Sequence, residues 1–570
     1  MKRSEYPRPQ LRRNSYFCLN GPWQFTIDSG ESLPERGLFD PLNYPETIEV
    51  PFCPESKLSG IHCTDFMNAV SYRRKVTTPE YSDQERLLLH FGACDFETSC
   101  YVNGILVGHH IGGYSSFSFD ITEQAKGTTE FWLTVYVKDH NRNSLQGRGK
   151  QSPAYFSQGC DYTRTTGIWQ TVWMEVVPSA YISSVFLNGS FLTEQLSLSL
   201  YTNQYVSGML TVIIHEENNE RFRKEFRISG RTITECISVP NARPWCPQNP
   251  FLYQIEFILT PDSGLSDHVY SYFGLRDVEL RDKMVYLNGE PIFLRMVLDQ
   301  GFYPDGVYTA PDDASLKQDI LLSMNAGFNG ARLHQKIFEE LFLYYCDLLG
   351  YLVFEEYPDA GSNRNDSSLF LSIMSEWAEC IERDRSHPCI IGWCPYNETP
   401  VSRSSDLLRQ TYRFTRLLDP TRPVIDTSGY THEITDIYDV HNYEQDPLLF
   451  AKQMNTAASK ECFKNFPERE FYCDQPYFVS EYGGIFWADS DDSGWGYGCP
   501  PQNLAEFYDR YRRLTESLLH NPKICGFCYT QLTDIEQEKN GIYYYNRSPK
   551  FDLNIIRSIN QSPAAIEKRR

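Results

Sequence analysis

The sequence predicts a multidomain chain: an N-terminal β-sandwich of jelly-roll type, an immunoglobulin-like β-sandwich, and a C-terminal (β/α)8 TIM barrel. Three observations carry that expectation. The chain has 570 residues, more than one hydrophobic core normally holds. Its first half consists of short alternating apolar and polar runs separated by turns. After about residue 278 the rhythm becomes strand, helix, strand, helix, which calls for a parallel sheet covered by helices. The expected boundaries are 1–180, 181–277 and 278–570.

In the first region, Leu87-Leu88-Leu89-His90-Phe91 and Phe131 to Val137 read as strands, and Asn103-Gly104 between two apolar runs is a two-residue hairpin signal. The second region, about a hundred residues with regular turns, shows its clearest strands at Leu210 to Ile214 and Tyr253 to Ile258 and suits an immunoglobulin-like sandwich. The third region offers eight apolar strands: Phe293 to Val297, Phe328 to Arg332, Tyr351 to Glu355, Ile390 to Cys394, Val424 to Thr427, Ile437 to His441, Tyr477 to Glu481 and Ile524 to Thr530. Leu316, Ile320, Leu321 and Met324 recur at helical spacing with Gly327 beyond them, and Gly350 follows Phe338, Phe342 and Tyr345 in the same way. A barrel of this kind places its chemistry at the C-terminal ends of the strands.

Composition narrows the function. A formal charge of −21 excludes a phosphate backbone as partner, because nucleic-acid binding needs clustered Lys and Arg. No apolar stretch is long enough to span a bilayer, and the first residues lack the apolar segment of a secretory signal, so the expected compartment is cytoplasmic. Seventeen irregularly spaced cysteines fit reduced thiols. Cys525-Gly526-Phe527-Cys528 has no second pair at zinc-ligand spacing, and neither a metal nor a cofactor is expected. Aromatic residues at 14% suit sugar stacking as well as core filling.

Two glutamates carry the chemistry. Glu398 ends Ile391-Gly392-Trp393-Cys394-Pro395-Tyr396-Asn397-Glu398, and Glu481 opens Glu481-Tyr482-Gly483-Gly484. Each closes an apolar strand. Carboxyl groups brought from two barrel strands to one sugar carbon are what a retaining glycosidase needs, one to attack and one to manage the proton of the leaving oxygen. Glu481 is the candidate nucleophile and must stay ionised; Glu398 is the candidate acid/base and must start protonated.

The chain resembles glycoside hydrolase family 2, the family of β-galactosidases, β-glucuronidases and β-mannosidases. The resemblance rests on Val102-Asn103-Gly104, Gly112-Gly113-Tyr114, Gly167-Ile168-Trp169-Gln170, Leu287-Asn288-Gly289-Glu290-Pro291, Arg383-Asp384 with His387-Pro388, Asn397-Glu398 and Ser480-Glu481-Tyr482-Gly483. It alone selects retention. It further implies that Asn397 bonds the sugar 2-hydroxyl, that Tyr443 donates to the nucleophile, that Arg332 and His334 line the pocket, and that Tyr529 stands where relatives stack a tryptophan under the sugar. Asp299 and Gln300 are further pocket candidates.

The substrate is less legible. Glu536-Gln537-Glu538-Lys539-Asn540-Gly541 does not reproduce the Asn-x-Lys motif with which similar glucuronidases hold a sugar carboxylate. The expected partner is therefore a terminal β-linked sugar of a glycoside or oligosaccharide, taken in a β-galactosidase-like way. The rival is a β-uronidase using Lys336 as the carboxylate's cation. A carbohydrate-binding protein without turnover is the alternative from another class. A homo-oligomer is compatible with the two sandwiches, which either bind glycan or brace the barrel.

Overall fold

The computed structural model describes residues 3–217, 219–455, 462–469, 472–488 and 493–569. The first sandwich faces a six-stranded antiparallel sheet, ordered Glu46–Val50, Gly21–Ile27, Ala69–Thr77, Glu130–Lys138, Glu97–Val102, Ile105–Ile111, against a four-stranded one. The second sheet comprises Phe17–Cys18, Val172–Pro178, Glu85–Phe91 and Phe117–Asp120. Trp23, Phe25, Tyr72, Leu87, Leu89 and Phe91 fill the space between them. Asn103 and Gly104 both have positive φ, +50° and +82°, the geometry of a tight hairpin turn, and Val102 pairs with Ile105 across it.

The second sandwich is one continuous antiparallel ladder that folds over on itself. Gln195–Glu216 pairs with Ile182–Ser190 along its first half and with Tyr253–Pro261 along its second. Its pairing with Asn219–Ser238 breaks between Tyr201 and Val206, so both long strands bend there and pass from one layer to the other. Tyr253, Ile255, Phe257 and Leu259 alternate inward, as a half-buried strand requires.

Seven parallel strands form the barrel sheet, in the order Ile390–Cys394, Leu352–Glu356, Gly330–Leu333, Leu294–Asp299, Ile524–Thr530, Tyr477–Gly483, Tyr438–Asn442. Their side chains are buried on both faces because helices cover the outside. The expected strand at 424–427 is not a ladder. That segment makes only isolated bridges, Val424 to Trp393 and Ser428 to Asn397, through hydrogen bonds such as Ile425 N to Trp393 O at 2.9 Å. Asp426, Thr427 and Ser428 engage side chains and loops instead, which interrupts regular pairing. The helix Asp313–Asn325 starts at Asp312, whose carboxylate accepts from Ser315 N at 2.8 Å, and the helix Glu340–Leu349 stops at Gly350 with φ +72°.

A loop of the first sandwich, residues 140–166, reaches onto the C-terminal face of the barrel. Gly149 N donates to Pro358 O at 3.1 Å, Arg148 N to Ala360 O at 3.1 Å, and Asn363 N to Ser144 O at 2.8 Å. At Gly149, with φ +58°, a Cβ would sit 2.3 Å from Gln335 O, so only glycine allows this approach. Trp495 Nε1 and Gln537 Nε2 both donate to Gly159 O, at 2.6 and 2.8 Å. One wall of the barrel mouth therefore belongs to the sandwich.

Candidate active site

Arg332, at the end of the second barrel strand, organises the site. Its Nε donates to Glu356 Oε2 at 2.7 Å, Nη1 to Glu481 Oε1 at 2.7 Å, and Nη2 to Asn397 Oδ1 at 2.6 Å. One planar fork thus fixes groups from three other strand ends. Glu356 is fully buried and also holds His334 Nδ1 at 3.0 Å and Gln335 Nε2 at 3.0 Å. Burial pushes its carboxyl up, and the Arg332 charge opposes that. Burial, followed by the charges of Arg332 and Lys150, holds His334 well below the usual histidine range.

Glu481 leaves only 7% of its side chain exposed, and its second oxygen accepts from Tyr443 Oη at 2.5 Å. Burial alone would raise its pKa; the charges of His441 and Arg332 overcome that and hold it below the carboxylate norm. Glu398 is the more open of the two, with 34% exposed, and has φ +47°. His441 Nδ1 lies 2.8 Å from Glu398 Oε1 and 3.3 Å from Glu481 Oε2, and the three side chains bring one polar atom each within 4.8 Å of one another. Burial favours the neutral form of Glu398, but the hydrogen bond and charge of His441, with Lys150 and His334 behind them, bring it down to about 2. Burial lowers the imidazole's pKa; the charge of Glu481 and the bond to Glu398 outweigh it, and the net shift is upward.

Asn397, Glu398, Tyr443, Arg332, His334 and Glu481 are thus brought together. Four other expected pocket residues are placed differently. Lys336 does not face the pocket: its ammonium donates to Gly301 O at 2.6 Å and Tyr308 O at 2.8 Å and lies over the rings of Trp169, Tyr308 and Phe338. Tyr529 faces the helix layer, 4.9 Å from the Tyr511 ring and T-shaped against Tyr482 at 5.6 Å, because neighbouring positions on a strand point to opposite sides. Its neighbour Thr530 faces inward, with Oγ1 3.0 Å from Tyr443 Oη. Asp299 turns back to accept from Gly301 N at 2.9 Å, and burial with the charge of Asp319 raises it to about 6. Gln300 Nε2 joins Tyr162 Oη at 2.9 Å and Gln531 Oε1 at 2.6 Å in the wall next to Glu538.

Sequence reasoning missed four groups. Glu356 stands at a strand end, and that position was the available signal. His441 lies two residues before Tyr443 on the sixth expected strand. Glu538, 3% exposed, bonds Tyr162 and accepts from Asn540 Nδ2 at 2.8 Å. Lys150 comes from the sandwich loop with Nζ 3.5 Å from Cys160 Sγ; burial lowers its pKa, but Cys160, Glu398, Glu481 and Glu538 together raise it. No pattern in the chain marks that lysine.

The barrel segment, residues 278–512, matches the family described as glycosyl hydrolases family 2, TIM barrel domain, and residues 181–276 match glycosyl hydrolases family 2. The chain belongs to glycoside hydrolase family 2. It is 28% identical over 386 residues to a β-galactosidase of Thermoanaerobacter pseudethanolicus, covering 65% of this chain and 50% of that protein, so it spans about half the length of that relative. It is 22% identical over 599 residues to a β-glucuronidase of Streptococcus agalactiae, with 96% of each covered. The β-D-glucuronidase structure of Dictyoglomus thermophilum superposes with a TM-score of 0.78 at 20% identity, over 98% of this chain and 99% of that one, which shows a shared fold. Among the described residues no helix is long and apolar enough to cross a membrane.

Proposed function

We propose that this family 2 chain is a retaining exo-β-glycosidase, β-galactosidase-like, releasing a terminal neutral sugar through a covalent glycosyl-enzyme. The observation that carries this reading is the pair Glu398 and Glu481, with facing oxygens inside 4.8 Å at the strand C-termini. Retention uses carboxyl groups about 5–5.5 Å apart, and inversion about 6.5–9.5 Å. Glu481, clamped by Arg332 and Tyr443 and kept ionised, attacks the anomeric carbon. Glu398, open to the mouth, protonates the leaving oxygen and later takes a proton from water. Asn397, steadied by Arg332, offers its amide to the 2-hydroxyl.

A neutral sugar is favoured by Glu538, a buried carboxylate within electrostatic reach of Glu481, since a uronate would add a further negative charge to this group of acids. One observation favours the alternative, a β-uronidase: Lys150 is a cation near Glu398, Glu481 and Glu538, and replaces Lys336 as candidate partner for a sugar carboxylate. The seventeen cysteines are all free thiols, which supports a reducing, cytoplasmic setting. Aryl β-galactoside, β-glucuronide, β-galacturonide, β-mannoside and α-L-arabinopyranoside at equal concentration separate the readings. The galactoside is expected to turn over fastest, with Lys150→Met leaving the ranking unchanged. Turnover of a uronide alone, abolished by Lys150→Met, contradicts the neutral-sugar reading.

A further inference from the structure

The free site poses a problem for its own acid. A glutamate that must deliver a proton is held ionised by the imidazole beside it. We infer that His441 and Glu398 share one proton and that His441 is the positioning residue that supplies it, through Nδ1, to Glu398 Oε1. The inference rests on the acid/base role proposed for Glu398.

The geometry fixes which nitrogen exchanges. His441 Nε2 lies 3.1 Å from Ser428 Oγ, and Ser428 Oγ donates its own hydrogen to Asp439 Oδ2 at 2.7 Å. With its hydrogen committed to Asp439, Ser428 can only accept from His441, so Nε2 stays protonated. Nδ1 is left as the nitrogen that gains and loses a proton, and it faces Glu398 at 2.8 Å. The ring is 4% exposed, with Gly429 packed so closely that a Cβ there would sit 2.6 Å from it. The charged groups around it are Glu398, Glu481 and Arg332, with Asp439 behind Ser428; the Tyr430 ring covers one side.

The step balances within the site. Nδ1–H passes its proton to Glu398 Oε1, leaving neutral imidazole and a carboxylic acid. Glu398 gives that proton to the glycosidic oxygen as the C–O bond breaks and Glu481 forms its ester to the anomeric carbon. In the second half, water attacks that carbon, the ester opens to return the Glu481 carboxylate, and the water's proton goes to Glu398 and back to Nδ1. As the Glu481 charge is spent on the forming ester bond, its hold on the His441 proton weakens, which assists delivery in the first half.

His441→Gln removes the reservoir and leaves the acid proton on Glu398 alone. With phenyl glycosides, which need acid assistance, the basic limb of kcat/KM is expected to move to lower pH by about one unit or more. With 2,4-dinitrophenyl glycosides, whose leaving group needs no proton, the limb is expected not to move. Ser428→Ala keeps the imidazole but frees its tautomer, and is expected to move the same limb the same way by a smaller step. An unmoved basic limb in both variants overturns the inference. Glu398→Ala with azide separates the two levels: formation of a glycosyl azide keeps Glu398 as acid/base whatever His441 does, and its absence removes the reading on which the inference stands.

Discussion

Tyr443 gives its hydroxyl to Glu481 at 2.5 Å while its ring stacks face to face on Tyr497, centroids 3.5 Å apart. The stack fixes the ring, and so the hydroxyl meets the carboxylate without searching for it. A hydrogen bond to a charged group contributes about 1.5–3 kcal/mol. Tyr443→Phe is expected to lower kcat by about 10- to 100-fold with little change in unfolding temperature, measured by steady-state kinetics beside thermal denaturation. A drop in stability with kcat intact would assign Tyr443 to packing.

Lys336 is a buried brace. Burial lowers its pKa from 10.5 to about 7, against the pull of Glu339 and Asp299. Between those two values the folded state has released a proton that the unfolded chain retains, so this group adds stability as pH rises from 7 toward 10.5. Lys336→Met is expected to lose that rise and to leave the ratio of neutral to uronic turnover unchanged. Unfolding temperature against pH, with the two aryl substrates, checks both halves; a changed ratio would put Lys336 back in the pocket.

Glu175 ties the N-terminal segment to the first two sandwiches. It accepts from Arg8 and Arg13 at 3.2 Å each, and Arg13 also meets Asp267 of the second sandwich at 2.9 Å. Burial would raise Glu175, yet Arg8, His90 and Arg13 carry it down to about 2. Its stabilising share is present above its unfolded value of 4.5 and is lost as pH falls from there to about 2. Removing one partner of a buried pair costs about 3–5 kcal/mol, so Glu175→Gln is expected to be destabilised by that order at pH 7. Urea unfolding at pH 7 and pH 3 measures it, and an equal difference at both would count against the pair.

Much of the fold was legible because local chemistry and tertiary structure agree. Asn103-Gly104 tolerates the positive φ of its turn, Gly350 ends its helix, and the apolar runs at Leu352, Ile390 and Tyr477 are buried on both faces. That Glu398, Glu481, Asn397 and Arg332 lie close together follows from the convergence of strand ends in a barrel. The strand expected at Val424 to Thr427 is not a regular ladder, because Asp426 and the adjoining Ser428 bond His432 and Asp439 instead. Tyr529 was placed one residue out of register, and a single step on a strand reverses the face. Lys150 comes within electrostatic reach of Glu538, and Tyr162 bonds it, only because a sandwich loop crosses onto the barrel, an approach with no local sequence pattern behind it.

Trapping the glycosyl-enzyme with a 2-deoxy-2-fluoro-β-glycosyl fluoride, followed by peptide mass spectrometry, decides whether the two carboxylates divide the work as described. One sugar per chain is expected, attached to the peptide carrying Glu481, accumulating with wild type and absent with Glu481→Gln. A label on Glu398 or on any other residue, or turnover of the fluoride with inverted product and no covalent adduct, would contradict it.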